Sequence, residues 1–280
     1  MSLERFDNLP FTKMSASGND FILINNWSLS LSPEEGAFLA SRLCRRAFSV
    51  GADGLILIEP PRSSEAQFSW RFYNADGSEA EMCGNGGRCA ARFALLEGLA
   101  PENLAFDTLA GLIRAEVLGS RVKIQLTEPK DLVLEINIEI DGQNLSLSYI
   151  NTGVPHVVVF WEKIEEAPVN SLGQAIRFHQ RFAPAGTNVN FVAREGKALK
   201  VRTYERGVEA ETLACGTGAV ASAIIAALKG VVNPPVEIIT SGGEILKVYF
   251  SLEGNSAKKV FLEGEARIIY RASLSQEALE

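Results

Sequence analysis

Apolar residues along this chain fall mostly into short runs, many of them alternating with polar ones. That pattern predicts many strands and few helices. Strands are expected at residues 22–24, 55–58, 112–117, 122–126, 132–140, 145–149, 157–160, 190–192, 236–239, 245–250, 259–262 and 266–271. Ser32-Pro33-Glu34-Glu35 has the form of a capping box, with serine at N-cap, proline at N1 and glutamate at N3. A helix should follow to about residue 48 and bury Phe38, Leu39, Leu43, Cys44 and Ala47. Alanine-rich segments at 88–97 and 219–229 read as two further helices, stopped by Gly98 and Gly230. The class is α+β. Residues 273–280 read as a frayed tail.

The same pattern occurs twice. Gly18-Asn19-Asp20-Phe21 and Gly153-Val154-Pro155-His156 each precede an apolar strand, and so do Gly51-Ala52-Asp53-Gly54 and Gly186-Thr187-Asn188-Val189. Arg71-Phe72-Tyr73-Asn74 leads to Cys83, and Arg202-Thr203-Tyr204-Glu205 leads to Cys215. Gly153 lies 135 residues after Gly18, Gly186 lies 135 after Gly51, and Cys215 lies 132 after Cys83. Three ordered landmarks at nearly one spacing indicate an internal duplication, with two similar domains related by pseudo-twofold symmetry. The expected division is 1–128 with a C-terminal strand at about 265–280, and 129–264.

Bulk composition narrows the function classes. A chain of 280 residues with 46% hydrophobic and 22% charged content suits two modest soluble domains. The net charge of −7 argues against nucleic acid or an anionic membrane as partner. The first ten residues hold no apolar run of signal-peptide length, and no apolar stretch is long enough to span a bilayer. Four cysteines without framework spacing fit a reduced cytoplasmic protein.

The duplicated cysteines carry the chemistry. Met82-Cys83-Gly84-Asn85-Gly86-Gly87 and Ala214-Cys215-Gly216-Thr217-Gly218-Ala219 each run into an apolar helix. Helix N-termini present unpaired N–H groups and a favourable dipole, which stabilise a thiolate and can hold a carboxylate. Two such thiols on opposite sides of one carbon can remove a proton from one face and return one to the other, the chemistry of an epimerase or racemase. One thiol must be ionised and the other protonated, so the pair should titrate as a coupled unit. Cys44 and Cys89 fall inside helices and read as structural. Metal binding is not expected, because only His156 and His179 are available and the cysteines lack paired spacing. Gly216-Thr217-Gly218-Ala219-Val220-Ala221 fits a dinucleotide pattern, but its counterpart at Gly84 does not complete it. A thiol-based sensor or small-molecule binding protein remains a second reading of the same cysteines.

Together these segments resemble the diaminopimelate epimerase family of pyridoxal-independent amino acid epimerases. The matching pieces are Ser17-Gly18-Asn19-Asp20-Phe21, Tyr73-Asn74-Ala75-Asp76-Gly77-Ser78-Glu79, Cys83 to Cys89, Gly153 to His156, Thr187-Asn188-Val189-Asn190-Phe191, Glu205-Arg206-Gly207, and Glu211-Thr212 leading to Cys215-Gly216-Thr217-Gly218. The resemblance implies two similar domains, each a mixed sheet wrapped around a central helix, with the active site in the cleft between them. It implies interconversion of LL- and meso-diaminopimelate, in lysine and peptidoglycan precursor synthesis, without a cofactor. Cys83 would be the base and Cys215 the acid for the LL form. Gly84, Asn85, Gly216 and Thr217 would hold the carboxylate at the reacting centre. Asn19, Asn74, Asn188, Glu205 and Arg206 would hold other polar groups of the substrate, and His156 and Glu205 would tune the thiols. From the residues alone, His156 reads equally well as a satisfied structural histidine. Homodimers are common in the family, so a homodimer is the expected assembly.

Several positions depart from well-known members. Val154 stands where many have asparagine, Gly54 where some have glutamine, and Glu209-Ala210 where one glycine precedes Glu211. Met14-Ser15-Ala16-Ser17 replaces a histidine-glycine version. A cofactor-free proline racemase is the alternative enzyme, separated by Asn74, Asn188 and Arg206. Phenazine-biosynthesis-like isomerases share the fold but not the cysteine pair.

Overall fold

The computed structural model describes residues 3–280. The chain divides into two units, Met1–Ile124 with Glu265–Glu280, and Gln125–Gly264.

The first unit contains β1 (Pro10–Ala16), β2 (Asn19–Asn25), α1 (Pro33–Leu43), β3 (Gly54–Glu59), β4 (Phe68–Asn74), β5 (Glu79–Ala80), α2 (Gly84–Leu96), β6 (Asn103–Thr108), β7 (Gly111–Leu118) and β8 (Arg121–Gln125). The second contains β9 (Lys130–Ile140), β10 (Gln143–Asn151), β11 (Pro155–Phe160), α3 (Val169–Arg177), β12 (Asn188–Glu195), β13 (Ala198–Glu205), β14 (Ala210–Thr212), α4 (Gly216–Leu228), β15 (Val236–Thr240), β16 (Ile245–Glu253) and β17 (Ser256–Glu265). The chain then returns to the first unit as β18 (Arg267–Ser273).

Pairing follows one plan in both units. In the first, the order is β18-β1-β2-β3-β4-β6-β7-β8, with β5 also on β4. In the second it is β9-β10-β11-β12-β13-β15-β16-β17, with β14 on β13. Two pairings in each are parallel, β2–β3 with β4–β6 and β11–β12 with β13–β15, and the rest are antiparallel. These are mixed sheets, and the fold is α+β. α2 touches β1, β2, β3 and β7, and α4 touches β10 to β13, β15 and β16. A sheet that meets its helix from so many strands must curl around it. The composition of α4 agrees, with Gly218 to Ala226 all buried. A helix that is apolar all round belongs in a core.

Local signals explain the helix ends. Ser32 Oγ accepts from the Glu35 N–H at 3.2 Å, and a Glu35 carboxylate oxygen accepts from the Ser32 N–H at 2.8 Å. The capping box is therefore formed. α1 ends at Leu43, not near residue 48, because Ala47 takes a left-handed φ of 67° and the Gly51 N–H closes the turn onto the Leu43 carbonyl. Consequently Ala47 is exposed and Phe38 only half-buried. Gly98 and Gly230, both at φ 71°, stop α2 and α4. After them, the N–H groups of Leu99 and Val231 reach back to the carbonyls of Ala94 and Ala226.

The C-terminal tail is ordered, contrary to the frayed end read from the sequence. Leu274 and Leu279 are buried in the cluster formed by Phe6, Leu9, Leu39 and Leu43. Ser275 caps a 3₁₀ turn at Gln276–Leu279, and Arg42 and Arg45 donate to the Glu280 carbonyl. Two apolar anchors outweigh the fraying tendency of a polar terminus. No helix among the described residues is long and apolar enough to cross a membrane.

Candidate active site

Each unit places its duplicated cysteine at the same structural point. Cys83 is the N-cap of α2 and Cys215 the N-cap of α4, each with an extended backbone. Both helices begin immediately at the following glycine, several residues earlier than the alanine-rich runs suggest. Glycine is a poor helix former, but here it brings N–H groups of each first helical turn close to a sulfur atom, those of Asn85 and Gly86 to Cys83 and those of Thr217 and Gly218 to Cys215.

In the first unit, Cys83 Sγ accepts from the Gly86 N–H at 3.4 Å. Burial pushes this thiol up, while the N–H groups of Gly86 and Asn85 and the charge of Arg88 pull it down. Arg88 is wholly buried, one turn beyond the cysteine. Its guanidinium donates to Ser17 Oγ at 2.5 Å and to Asn85 Oδ1 at 2.9 Å. Asn85 Nδ2 donates to Asn19 Oδ1 at 2.7 Å, and Asn19 Nδ2 to Asp53 Oδ2 at 2.9 Å. Arg46 in turn pairs with Asp53 and Asp20. Asn19, Asn85 and Gly84 are thus gathered at the start of α2 by a chain of polar side chains. Asn74, at the end of β4, is exposed and its amide donates to Ser78 Oγ at 3.0 Å in the following turn.

In the second unit, Cys215 Sγ lies 3.6 Å from Thr217 Oγ1. Burial, and next the negative charge of Glu205, push this thiol up to about 12, against the Thr217 hydroxyl and the N–H groups of Gly218 and Thr217. Glu205 ends β13 and accepts from Thr212 Oγ1 at 2.9 Å, and burial raises its carboxyl above the ordinary range. Asn188 is buried, donating to the Pro155 carbonyl at 3.0 Å and accepting the Arg206 N–H at 2.8 Å. The Arg206 side chain reaches the Ala185 carbonyl at 3.1 Å. Thr152 Oγ1 donates to the Thr217 carbonyl at 3.0 Å and pins the glycine turn. His156 is 0% exposed on β11, and its pKa falls to about 3 because burial and the nearby Arg206 charge both oppose protonation.

The two thiols are therefore alike in backbone and unlike in charge. Cys83 has a buried cation one turn along its helix. The corresponding position after Cys215 is Val220, and Cys215 faces a carboxylate instead. Cys44 and Cys89 are buried and pushed up to about 12, consistent with inert core thiols. His179 accepts the Arg181 N–H at a 3₁₀ turn. Among the described residues no group of three or more His, Cys, Asp or Glu side chains is placed to hold a metal.

Three of the departures have a local setting that the structure shows. A Cβ at Gly54 would lie 2.6 Å from both the Phe72 ring and the Tyr73 carbonyl, so no longer side chain fits this backbone. Glu209 takes a left-handed φ of 57° and caps the loop by accepting the Gly207 N–H at 2.9 Å. The side-chain contact with Arg177 holds it there. Val154 is half-buried and its carbonyl accepts the Thr152 N–H. Reading the sequence alone missed Arg88, Asp53, Asn190 and Thr203. Only Asn190 carried a usable signal, since it lies two residues from Asn188 on one strand and so faces the same way.

Residues 11–130 and 148–269 match the family model described as diaminopimelate epimerase. The chain belongs to the diaminopimelate epimerase family. A diaminopimelate epimerase from Aquifex aeolicus is 48% identical, covering 97% of this chain and 100% of the relative. Another, from Hydrogenobaculum, is 47% identical over 95% and 98% of the two chains. A third, from Archaeoglobus fulgidus, is 42% identical over 86% and 89%. More distant solved structures share the fold alone. A phenazine biosynthesis protein of the PhzF family from Bacillus anthracis matches with TM-score 0.69 at 15% identity, covering 95% of this chain and 98% of that one. A probable proline racemase from Agrobacterium radiobacter matches with TM-score 0.67 at 15% identity, covering 95% and 92%.

Proposed function

We propose that the protein interconverts LL- and meso-2,6-diaminopimelate by a two-base reaction at Cys83 and Cys215, without a pyridoxal cofactor. The observation that supports it most is the repeated placement of a thiol as the cap of a buried helix, in a chain of this family.

The hydrogen beside an amino acid carboxylate is weakly acidic, so its removal needs a desolvated base and a way to hold developing negative charge. Cys83 is the base for the LL form: its thiolate takes the α-proton, leaving the electron pair on the α-carbon. Cys215 gives its thiol proton to the opposite face. The configuration inverts, and the two sulfurs exchange protonation states. The reverse reaction exchanges their roles. Burial opposes either thiolate, so the N–H groups at the two helix starts must offset that cost. Arg88 assists on the Cys83 side, which fits Cys83 as the thiol ionised before the LL form reacts.

Gly84, Asn85, Gly216 and Thr217 hold the carboxylate at the reacting centre through helix-terminal donors. Arg206 and the amides of Asn19, Asn74 and Asn188, with Glu205, hold the polar groups of the distant centre. A guanidinium receives a carboxylate bidentately, and amide oxygens and a carboxylate receive an ammonium. His156 and Glu205 set the environment of Cys215. The same reading places the protein as a cytoplasmic homodimer in lysine and peptidoglycan precursor synthesis, acting on the free small molecule and not on nucleic acid or membrane.

Reduced protein incubated with LL-diaminopimelate and no added cofactor is expected to yield the meso form, measured by chiral chromatography. L-Proline offered under the same conditions is expected to remain unchanged. Racemised proline with untouched diaminopimelate would overturn the substrate assignment.

A further inference from the structure

The two units place different chemistry at equivalent positions beneath the first turn of their capped helices. Parallel pairing sets Phe21 opposite Gly54 and Leu23 opposite Ile56 in the first unit. In the second it sets His156 opposite Asn188 and Val158 opposite Asn190. Across the next pair, Ile56 faces Phe72 and Asn190 faces Thr203. The trio Phe21, Ile56 and Phe72 therefore corresponds to His156, Asn190 and Thr203. The first trio is carbon throughout, with Phe21 and Phe72 meeting edge to face at 6.0 Å between ring centres. The second is polar and buried. Both lie against a helix start. A Cβ on Gly86 would meet Ile56 Cδ1 at 3.3 Å, and a Cβ on Gly218 would sit 2.2 Å from Asn190 Oδ1.

A polar trio in such a place is costly unless its hydrogen bonds are made. Those of the Asn190 amide are all made. Its Nδ2 lies 2.8 Å from the Val157 carbonyl oxygen, which can only accept, so the nitrogen edge of the amide is fixed there. Its Oδ1 accepts from Thr203 Oγ1 at 2.9 Å. The second N–H on Nδ2 faces His156 Nδ1 at 3.1 Å. Nδ1 must then present a lone pair, and a neutral imidazole carries its proton on Nε2. Nε2 is buried and meets no hydrogen-bond partner among the described residues. A buried donor without a resting acceptor, in the unit that carries one of two reactive thiols, calls for a functional explanation.

We propose that Asn190, oriented by Thr203, is a positioning residue that locks His156 as its Nε2–H tautomer. The Cys215 unit thereby keeps a fixed N–H donor for negative charge that develops during the reaction, at a place where the Cys83 unit has only carbon. The kinetic consequence rests on the reading of Cys215 as an acid–base group, whereas the tautomer does not.

The chain has two histidines, so ¹⁵N-histidine labelling and a long-range ¹H–¹⁵N correlation spectrum resolve both. His156 is expected to show a protonated Nε2 and a bare Nδ1, unchanged by pH between about 6 and 9. Asn190→Asp sets an acceptor against Nδ1 and is expected to move the proton there. In that variant kcat for diaminopimelate should fall roughly tenfold or more, about one hydrogen bond's worth of transition-state stabilisation, with KM within about twofold. As a second probe that leaves Asn190 in place, His156→Gln can offer an amide N–H where Nε2 stands. It should retain more activity than His156→Asn, whose shorter amide reaches only the Nδ1 position. A wild-type His156 protonated on Nδ1, or mixed between tautomers, would overturn the proposal. So would an Asn190→Asp protein whose proton has moved while kcat has not. Wild-type protein that shows the Nε2–H tautomer but never turns over diaminopimelate would sink the functional reading and leave the tautomer standing.

Discussion

Replacing either Cys83 or Cys215 by alanine is expected to lower epimerisation by roughly 10²- to 10⁴-fold or more, the scale of a lost general acid or base. The two losses should be similar, because inversion needs a proton removed from one face and one supplied to the other. Neither variant should unfold the protein. Both cysteines are partly exposed residues at N-cap positions, not core fillers; only Cys83 makes a cap hydrogen bond, whose loss costs about 1 kcal/mol. By contrast Cys89→Ser puts a hydroxyl into the 0%-exposed interior of α2 and should cost stability while sparing the chemistry. Epimerase assays beside urea unfolding curves distinguish these cases. Turnover within tenfold of wild type in Cys83→Ala or Cys215→Ala would exclude the two-base scheme.

The second large effect is on stability in acid. His156 is buried and neutral, with its pKa lowered to about 3 from the ordinary 6.5. A depressed pKa contributes stability that is present above pH 6.5 and is lost as pH falls toward 3, because the unfolded chain takes up the proton first. At 1.36 kcal/mol per unit, the full loss is about 5 kcal/mol, and about 3 kcal/mol of it falls between pH 7 and pH 4. The groups around the imidazole reinforce this direction. Arg206 repels the second proton, and Asn190 donates to Nδ1, which leaves no lone pair free there to receive it. His156→Gln removes the titration. Its unfolding free energy should therefore fall between pH 7 and pH 4 by about 3 kcal/mol less than that of wild type. Parallel pH dependences in the two proteins would show that His156 is not held neutral.

Much of this arrangement is legible in the sequence, and the exceptions have physical reasons. The cysteine–glycine repeats announce helix starts, because a thiol followed by small residues is what a cap with an open N-terminus requires. The capping box at Ser32 forms for the same local reason. The helix Val169–Arg177 is not announced by the sequence, although Val169, Leu172, Gly173 and Ile176 keep helical spacing. Its N-cap is Pro168, which offers no side-chain acceptor, so the start signal is missing. Strands Pro10–Ala16 and Asn103–Thr108 are likewise not announced. Thr12 and Lys13 are polar yet buried, so hydropathy gives no alternation there. The anchoring of the tail is not legible in the sequence, because two leucines among eight residues look too few, and only the tertiary contact with Phe6 and Leu39 reveals it.

The site divides along the same line. Residues next to the thiols in sequence, Gly84, Asn85, Gly216 and Thr217, follow from the motif itself. Arg88 does not, since a charge inside a helix ordinarily marks its solvated face. Its burial depends on Asn85 on the same helix and on Ser17, which comes from the distant turn after β1. Likewise the exchange of Phe21, Ile56 and Phe72 for His156, Asn190 and Thr203 becomes visible only when strand register aligns the two units. The repeat conserves backbone placement while the side chains beneath each helix diverge from carbon to hydrogen-bonded polar groups. The two thiols themselves share backbone placement but differ in charge, with Arg88 acting on Cys83 and Glu205 on Cys215.

The most direct test follows solvent hydrogen during inversion. Reduced wild-type protein is mixed with LL-diaminopimelate in deuterium oxide, and product and remaining substrate are analysed by mass spectrometry during the first few per cent of conversion. Each thiol equilibrates with solvent before it donates, so meso product should carry one deuterium from the earliest turnovers while remaining LL substrate stays unlabelled. Meso product that keeps the original hydrogen would mean that one base removes and returns the same proton, and would contradict the account.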